Sequence, residues 1–154
     1  MLTWLENTAY AQWILTGLTG WPLVLTMHAI GLAIAVGMIV AMNMRLLGLY
    51  TAIPMSAVYK LLAFAWIGIA LNIFSGFSLF MTQASFYVTS PPFLVKITAI
   101  ILGIVLLVIT QKTMNQELSS WETNGVSTKG RNLAIASITL WLLAVVTGRL
   151  IAYL

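Results

Sequence analysis

Residues 21–48 read WPLVLTMHAIGLAIAVGMIVAMNMRLLG. No charge lies between Glu6 and Arg45. A bilayer core of about 30 Å needs about 20 apolar residues wound as a helix. The stretch is long enough, and Pro22 falls in the first turn, where a helix tolerates it. It reads as the first transmembrane helix. It also carries the only histidine of the chain, His28. A polar ring in a span is expected to face the interior of a bundle rather than lipid.

The composition agrees. Of 154 residues, 61% are hydrophobic and 6% charged, against about 25% charged in soluble domains. The length suits one domain. The net charge of +4 sorts topology in such a chain and does not point to nucleic acid. Without cysteine there is no disulfide framework, thiolate metal site or thiol nucleophile. Asp is absent and Glu6, Glu117 and Glu122 fall in surface segments, so a Ser-His-Asp arrangement is excluded.

Upstream of the first span, residues 3–16 mix Trp4, Tyr10 and Trp13 with Glu6, Asn7 and Gln12. This segment is too polar to span, and it reads as an interfacial helix ended by Gly17 and Gly20. With Glu6 as its first charge, it lacks the basic region of a signal peptide. Downstream, three more spans are expected at about 57–83, 92–114 and 132–153, with residues 115–130 as a water-exposed loop. The fold class is therefore all-α: an integral membrane four-helix bundle with an N-terminal interfacial helix. Gly68, Asn72 and Gly76 recur every fourth residue, forming a stripe on which another helix or a flat ligand approaches the backbone.

The connection after the first span holds Arg45 and Lys60, and the one after the third holds Lys112, Lys129 and Arg131. The positive-inside rule puts both in the cytoplasm and both termini on the periplasmic side of a bacterial inner membrane.

Three ionisable residues then fall inside spans at similar depth. His28 lies about 10 Å below Trp21, Lys96 about 6 Å past Pro92, and Arg149 about 8 Å before the last residue, at 1.5 Å per residue. A cation at mid-membrane costs roughly 2.5–3.5 kcal/mol on insertion scales. Lys96 and Arg149 either snorkel to headgroups or meet an anion inside. His28 either bonds another helix or binds a ligand. Its face carries Gly31, Ala35, Met38 and Met42 at helical spacing, and Gly31 is expected to leave room beside the imidazole. Apolar walls, a gap and an imidazole suit a haem, whose iron takes an axial histidine and whose propionates want cations. Trp141 and Val145 share the face of Arg149. Met81 is the methionine best placed by depth to be a second ligand.

Several short stretches carry a resemblance: HAIGLA from His28, NMRLLGL from Asn43, SGFSLF from Ser75, PFLVK ending at Lys96, and Trp141 followed by GRLIAY from Gly148. Together they resemble a bacterial family of four-helix membrane proteins of uncharacterised function, over nearly the whole chain. More distantly the layout is similar to the integral-membrane protoporphyrinogen oxidase and copper-resistance D families. The oxidase family is associated with haem b and has a functional His and Lys, roles that the resemblance implies for His28 and Lys96. The chain departs from these patterns at Asn43, where the first family usually has Asp, and in lacking the oxidase family's further histidines.

The expectation is a haem b protein of the inner membrane in electron transfer. His28 would be axial to the iron, and His28, Gly31, Lys96, Trp141 and Arg149 would form the cofactor site. The alternative is an accessory subunit of a larger membrane complex, docking through the Gly68/Asn72/Gly76 stripe. Transport ranks last, since no carboxylate lies in a span to couple it. One histidine per chain also makes a homo-oligomer attractive.

Overall fold

A computed structural model of the chain describes residues 2–153. Seven helices follow one another: α1 (Thr3–Glu6), α2 (Ala9–Thr16), α3 (Gly20–Leu46), α4 (Met55–Thr82), α5 (Ala84–Tyr87), α6 (Pro91–Asn124) and α7 (Thr128–Leu150). No strand occurs among the described residues. Four of the helices, α3, α4, α6 and α7, are long and apolar enough to cross a membrane. The protein is an all-α membrane protein built on a four-helix bundle.

Short connections make the four spans antiparallel neighbours. α3 packs chiefly on α4 and α6 on α7, while α3 also meets α7 and α4 meets α6 more sparsely. The bundle is thus two tight pairs closed into a ring. Its core runs along the axis through Ala35, Ile39, Met42, Leu62, Leu107, Met114 and Trp141. Outward-facing positions are large and apolar, such as Phe64, Ile67, Phe74 and Ile101, as lipid contact requires.

Small residues set the α3–α4 distance. A methyl group on Gly68 would come 2.5 Å from Ala35 N, and one on Gly31 would come 2.8 Å from Asn72 N. Any side chain at either position meets backbone, which cannot rotate away. The two helices therefore cross backbone to backbone, the close approach that small residues permit in membranes.

Two boundaries differ from the sequence expectation. The expected single helix over residues 3–16 breaks at Asn7 and Thr8. Thr8 is extended (φ −64°, ψ 146°) and its Oγ1 accepts from Ala11 N at 3.2 Å, so it caps α2. The two pieces dock on the bundle as well as facing outward. Glu6 Oε1 accepts from Ser85 N at 2.7 Å. Tyr10 donates its hydroxyl to Ser78 Oγ at 3.0 Å, because the Ser78 proton goes to Phe74 O.

The second difference is larger. The third span does not stop near residue 114, and α6 continues to Asn124. Most of the expected loop 115–130 is therefore helix. Trp121 explains it: the ring is buried, and its Nε1 donates to Glu117 Oε2 at 2.6 Å. Glu117 Oε2 also accepts from Ser127 Oγ, the cap of α7. Glu122 Oε1 accepts from Met55 N at the start of α4. Two glutamates expected in a solvated loop thus tie helices together at this end of the bundle, and only residues 125–127 lie between α6 and α7.

Candidate functional site

The bundle is open at its other end, beside α5. Helix α3 begins there, α4 ends there, α6 begins there and α7 ends there. Residues from all four helices line a cavity of about 560 Å³, within the range of small-molecule sites. Trp21, Leu25 and His28 come from α3, Gly76 and Phe80 from α4, Lys96 from α6, and Gly148 and Arg149 from α7. A narrower limb of about 380 Å³ leads sideways between α4 and α6 and shares His28, Gly76, Phe80, Phe93 and Lys96 with it. The cavity is walled by a run of rings. Phe80 and Phe93 stack with centroids 5.6 Å apart, and Tyr87 lies 5.3 Å from Phe93. Outside the spans, burial pushes the Tyr87 phenol above its ordinary value.

His28 is held from α4. Its backbone oxygen accepts from Asn72 Nδ2 at 2.9 Å, and its Nδ1 meets Ser75 Oγ at 3.1 Å. Ser75 sends its single hydroxyl proton to Leu71 O at 2.7 Å, one turn back on its own helix. The short contact to Leu71 O favours Ser75 Oγ as the acceptor and His28 Nδ1–H as the donor. In the neutral ring that leaves the lone pair on Nε2. A methyl group on Gly76 would come 3.1 Å from His28 Cε1, so this glycine makes the space in which the imidazole sits.

Lys96 lies across the bundle, with its stem over Gly148. A methyl group there would meet Lys96 Cε at 3.3 Å and Nζ at 3.4 Å. Arg149 is exposed at the mouth, with its guanidinium 5.6 Å over the Tyr153 ring and 3.4 Å from the Tyr153 hydroxyl. Among the described residues, no carboxylate lines either limb. The arrangement is an imidazole with one nitrogen committed, two cations and an aromatic wall around one opening. It suits a flat, apolar molecule carrying negative charge.

His28, Lys96 and Arg149 thus meet at one cavity. Gly31 and Trp141 do not line it. Gly31 is buried one helical turn along from His28, against the α4 backbone, and its missing side chain serves helix crossing rather than room beside the ring. Trp141 is a core residue packed on Gly103, 3.1 Å from where a methyl would stand, and its buried Nε1 has no hydrogen-bond partner among the described residues. Met81 lines neither limb. The Gly68/Asn72/Gly76 stripe is spent inside the bundle, on Ala35, on the His28 backbone and on the His28 ring. It is not a face left free for another subunit.

Sequence reasoning missed Ser75, Gly148 and the Phe80–Tyr87–Phe93 wall as parts of the site. Ser75 precedes Gly76 within the SGFSLF stretch, and the Asn72/Gly76 stripe already marked that side of α4.

Among the described residues, no three side chains of the metal-ligating types come together. Comparison of the chain with protein-family models, with curated proteins and with solved structures finds no match.

Proposed function

We propose that this protein binds haem b at the cavity beside α5 and works in electron transfer. His28 Nε2 would be an axial ligand to the iron. The observation that carries the reading is the 3.1 Å contact of His28 Nδ1 with Ser75 Oγ, which leaves Nε2 as the ring nitrogen without a protein partner among the described residues. Metal-bound histidines nearly always donate their other ring N–H to a fixed acceptor, which sets tautomer and ring orientation. A histidine that merely glues two helices needs neither an opening in front of it nor a glycine beneath it.

The remaining residues fit the same group. The cavity of about 560 Å³ is apolar along its wall and cationic at Lys96 and Arg149. Those two would take the propionates as charge-assisted hydrogen bonds. The aromatic wall would cover the macrocycle and keep water from it. Haem supplies a one-electron couple when bound. One chain offers one histidine, so a second histidine ligand would have to come from another copy, and a homo-oligomer is part of the proposal. The membrane is taken to be a bacterial inner membrane. Arg45, Lys60, Lys112, Lys129 and Arg131 lie towards the far end of the bundle, which favours a cytoplasmic position for that end and a periplasmic one for the cavity.

Haem titration of purified protein tests the reading. A Soret band that grows to saturation at no more than one haem per chain is the expected result. Non-saturable absorbance, equal to that of empty detergent micelles, would end it.

A further inference from the structure

The sideways limb differs in character from the main cavity. Its volume is about 380 Å³, and its polar lining residues are His28, Asn72 and Lys96. The rest is apolar, and Ile73, Phe77 and Ile97 on its rim are 54%, 56% and 37% exposed, which in a membrane means open to lipid. It lies where α4 and α6 meet only sparsely. A molecule can therefore enter it from the bilayer without crossing the aqueous mouth.

The polar groups are arranged across the slot. Lys96 is on α6 and brings ammonium hydrogens. Asn72 is on α4 and spends one amide hydrogen on His28 O, which leaves its second hydrogen and Oδ1. The slot thus offers hydrogen-bond donors from two facing helices, with Asn72 Oδ1 and the His28 ring as acceptors. The stacked Phe80 and Phe93 rings supply a flat apolar wall. A ligand that fits has a planar head with a carbonyl on each side and one apolar chain left in the lipid. A phospholipid fits less well. Lys96 lies about 8 Å along the helix from Pro91, so a charged headgroup would have to be drawn below the headgroup layer at a desolvation cost. A neutral head pays much less.

We propose that the slot between α4 and α6 is a binding site for a lipid-soluble quinone, held between Lys96 and Asn72. The slot shares Lys96, Phe80 and Phe93 with the haem cavity, so quinone and haem would compete for them; the binding is therefore measured on haem-free protein, where it stands or falls separately from the function proposed above.

The test uses protein in phosphatidylcholine nanodiscs, titrated with a fluorescent alkyl-quinolone N-oxide that mimics the quinone head, with decylubiquinone as competitor. The expected result is saturable quenching, one site per chain, reversed by decylubiquinone. Lys96→Met is expected to weaken binding about tenfold, as for loss of one charge-assisted hydrogen bond. Ile97→Trp changes a lipid-facing residue, so the fold survives, and it fills the slot and abolishes saturable binding. Ile135→Trp on the lipid face of α7 leaves binding as in the wild type. Quenching that matches empty nanodiscs, or that survives Ile97→Trp, overturns the proposal. So does competition by anionic phospholipid at the same potency as decylubiquinone, which would make the slot a lipid groove.

Discussion

The acceptor role of one hydroxyl carries much of the chemistry at this site. Ser75 is buried, and its proton is taken by its own helix. With its proton on Leu71 O it receives from His28 and orients the ring. Ser75→Ala removes the acceptor without adding bulk. The expected outcome is a folded protein whose haem affinity falls roughly 10–100-fold, the usual range for a lost partner of a metal-bound histidine. Spectral titration measures it. Unchanged affinity would mean that the bond has no part in ligation. Lys96 and Arg149 play unequal parts, one with its stem inside the bundle over Gly148 and the other at the mouth. Lys96→Gln is accordingly expected to weaken haem binding more than Arg149→Gln, compared in the same titration.

Among the elements, the α3–α4 pair does the positioning. Gly31 and Gly68 bring the two backbones together, and that closeness lets Asn72 and Ser75 reach His28. Gly68→Val places a Cβ 2.5 Å from Ala35 N and adds two methyls to it. Overpacking costs typically about 1–3 kcal/mol, and more is expected here because the obstacle is backbone. The variant is expected to melt earlier in detergent and to lose haem binding together with stability. A wild-type melting curve would contradict the crossing described.

The elements also show what the primary structure reveals on inspection and what it hides. The four spans were plain from hydropathy and length, because the bilayer demands long, uninterrupted apolar helices. Pro54 and Pro91 mark starts that hydropathy places within a few residues. The tail of α6 was hidden, because NQELSSWETN is polar and only the burial of Trp121 makes it helix. The break at Thr8 depends on a local side-chain bond that competes with the helix. At the site, His28, Lys96 and Arg149 stood out because ionisable residues are rare in spans. Gly31 departs from its expected role because a helical face does not say which neighbour it meets. Trp141 shared a face with Arg149 but lies two turns deeper, in the packed core.

For the whole molecule, the polar ends are unlike. The end with Glu117 and Glu122 is tied by hydrogen bonds between helices and carries a pocket on the α3–α4 side, lined by Met44, Arg45, Tyr50 and Ile53, whereas the cavity beside α5 draws on all four spans. That asymmetry makes orientation in the membrane a functional matter. The chain has no cysteine, so single cysteines report without background. Thr89→Cys, between α5 and α6, is expected to react with a membrane-impermeant maleimide in intact cells. Thr123→Cys, near the end of α6, is expected to react only after permeabilisation. The reverse pattern would put the cavity on the cytoplasmic side and contradict the positive-inside assignment.

The most direct measurement is the reduced-minus-oxidised absorption spectrum of the protein as purified from membranes, beside that of His28→Ala with its helicity checked by circular dichroism. A Soret and a sharp visible band in the wild type, both lost in a His28→Ala variant of unchanged helicity, is the result expected. A wild type purified without pigment that also fails to take up haem, or bands that persist in the variant, would contradict the assignment of this cavity to haem.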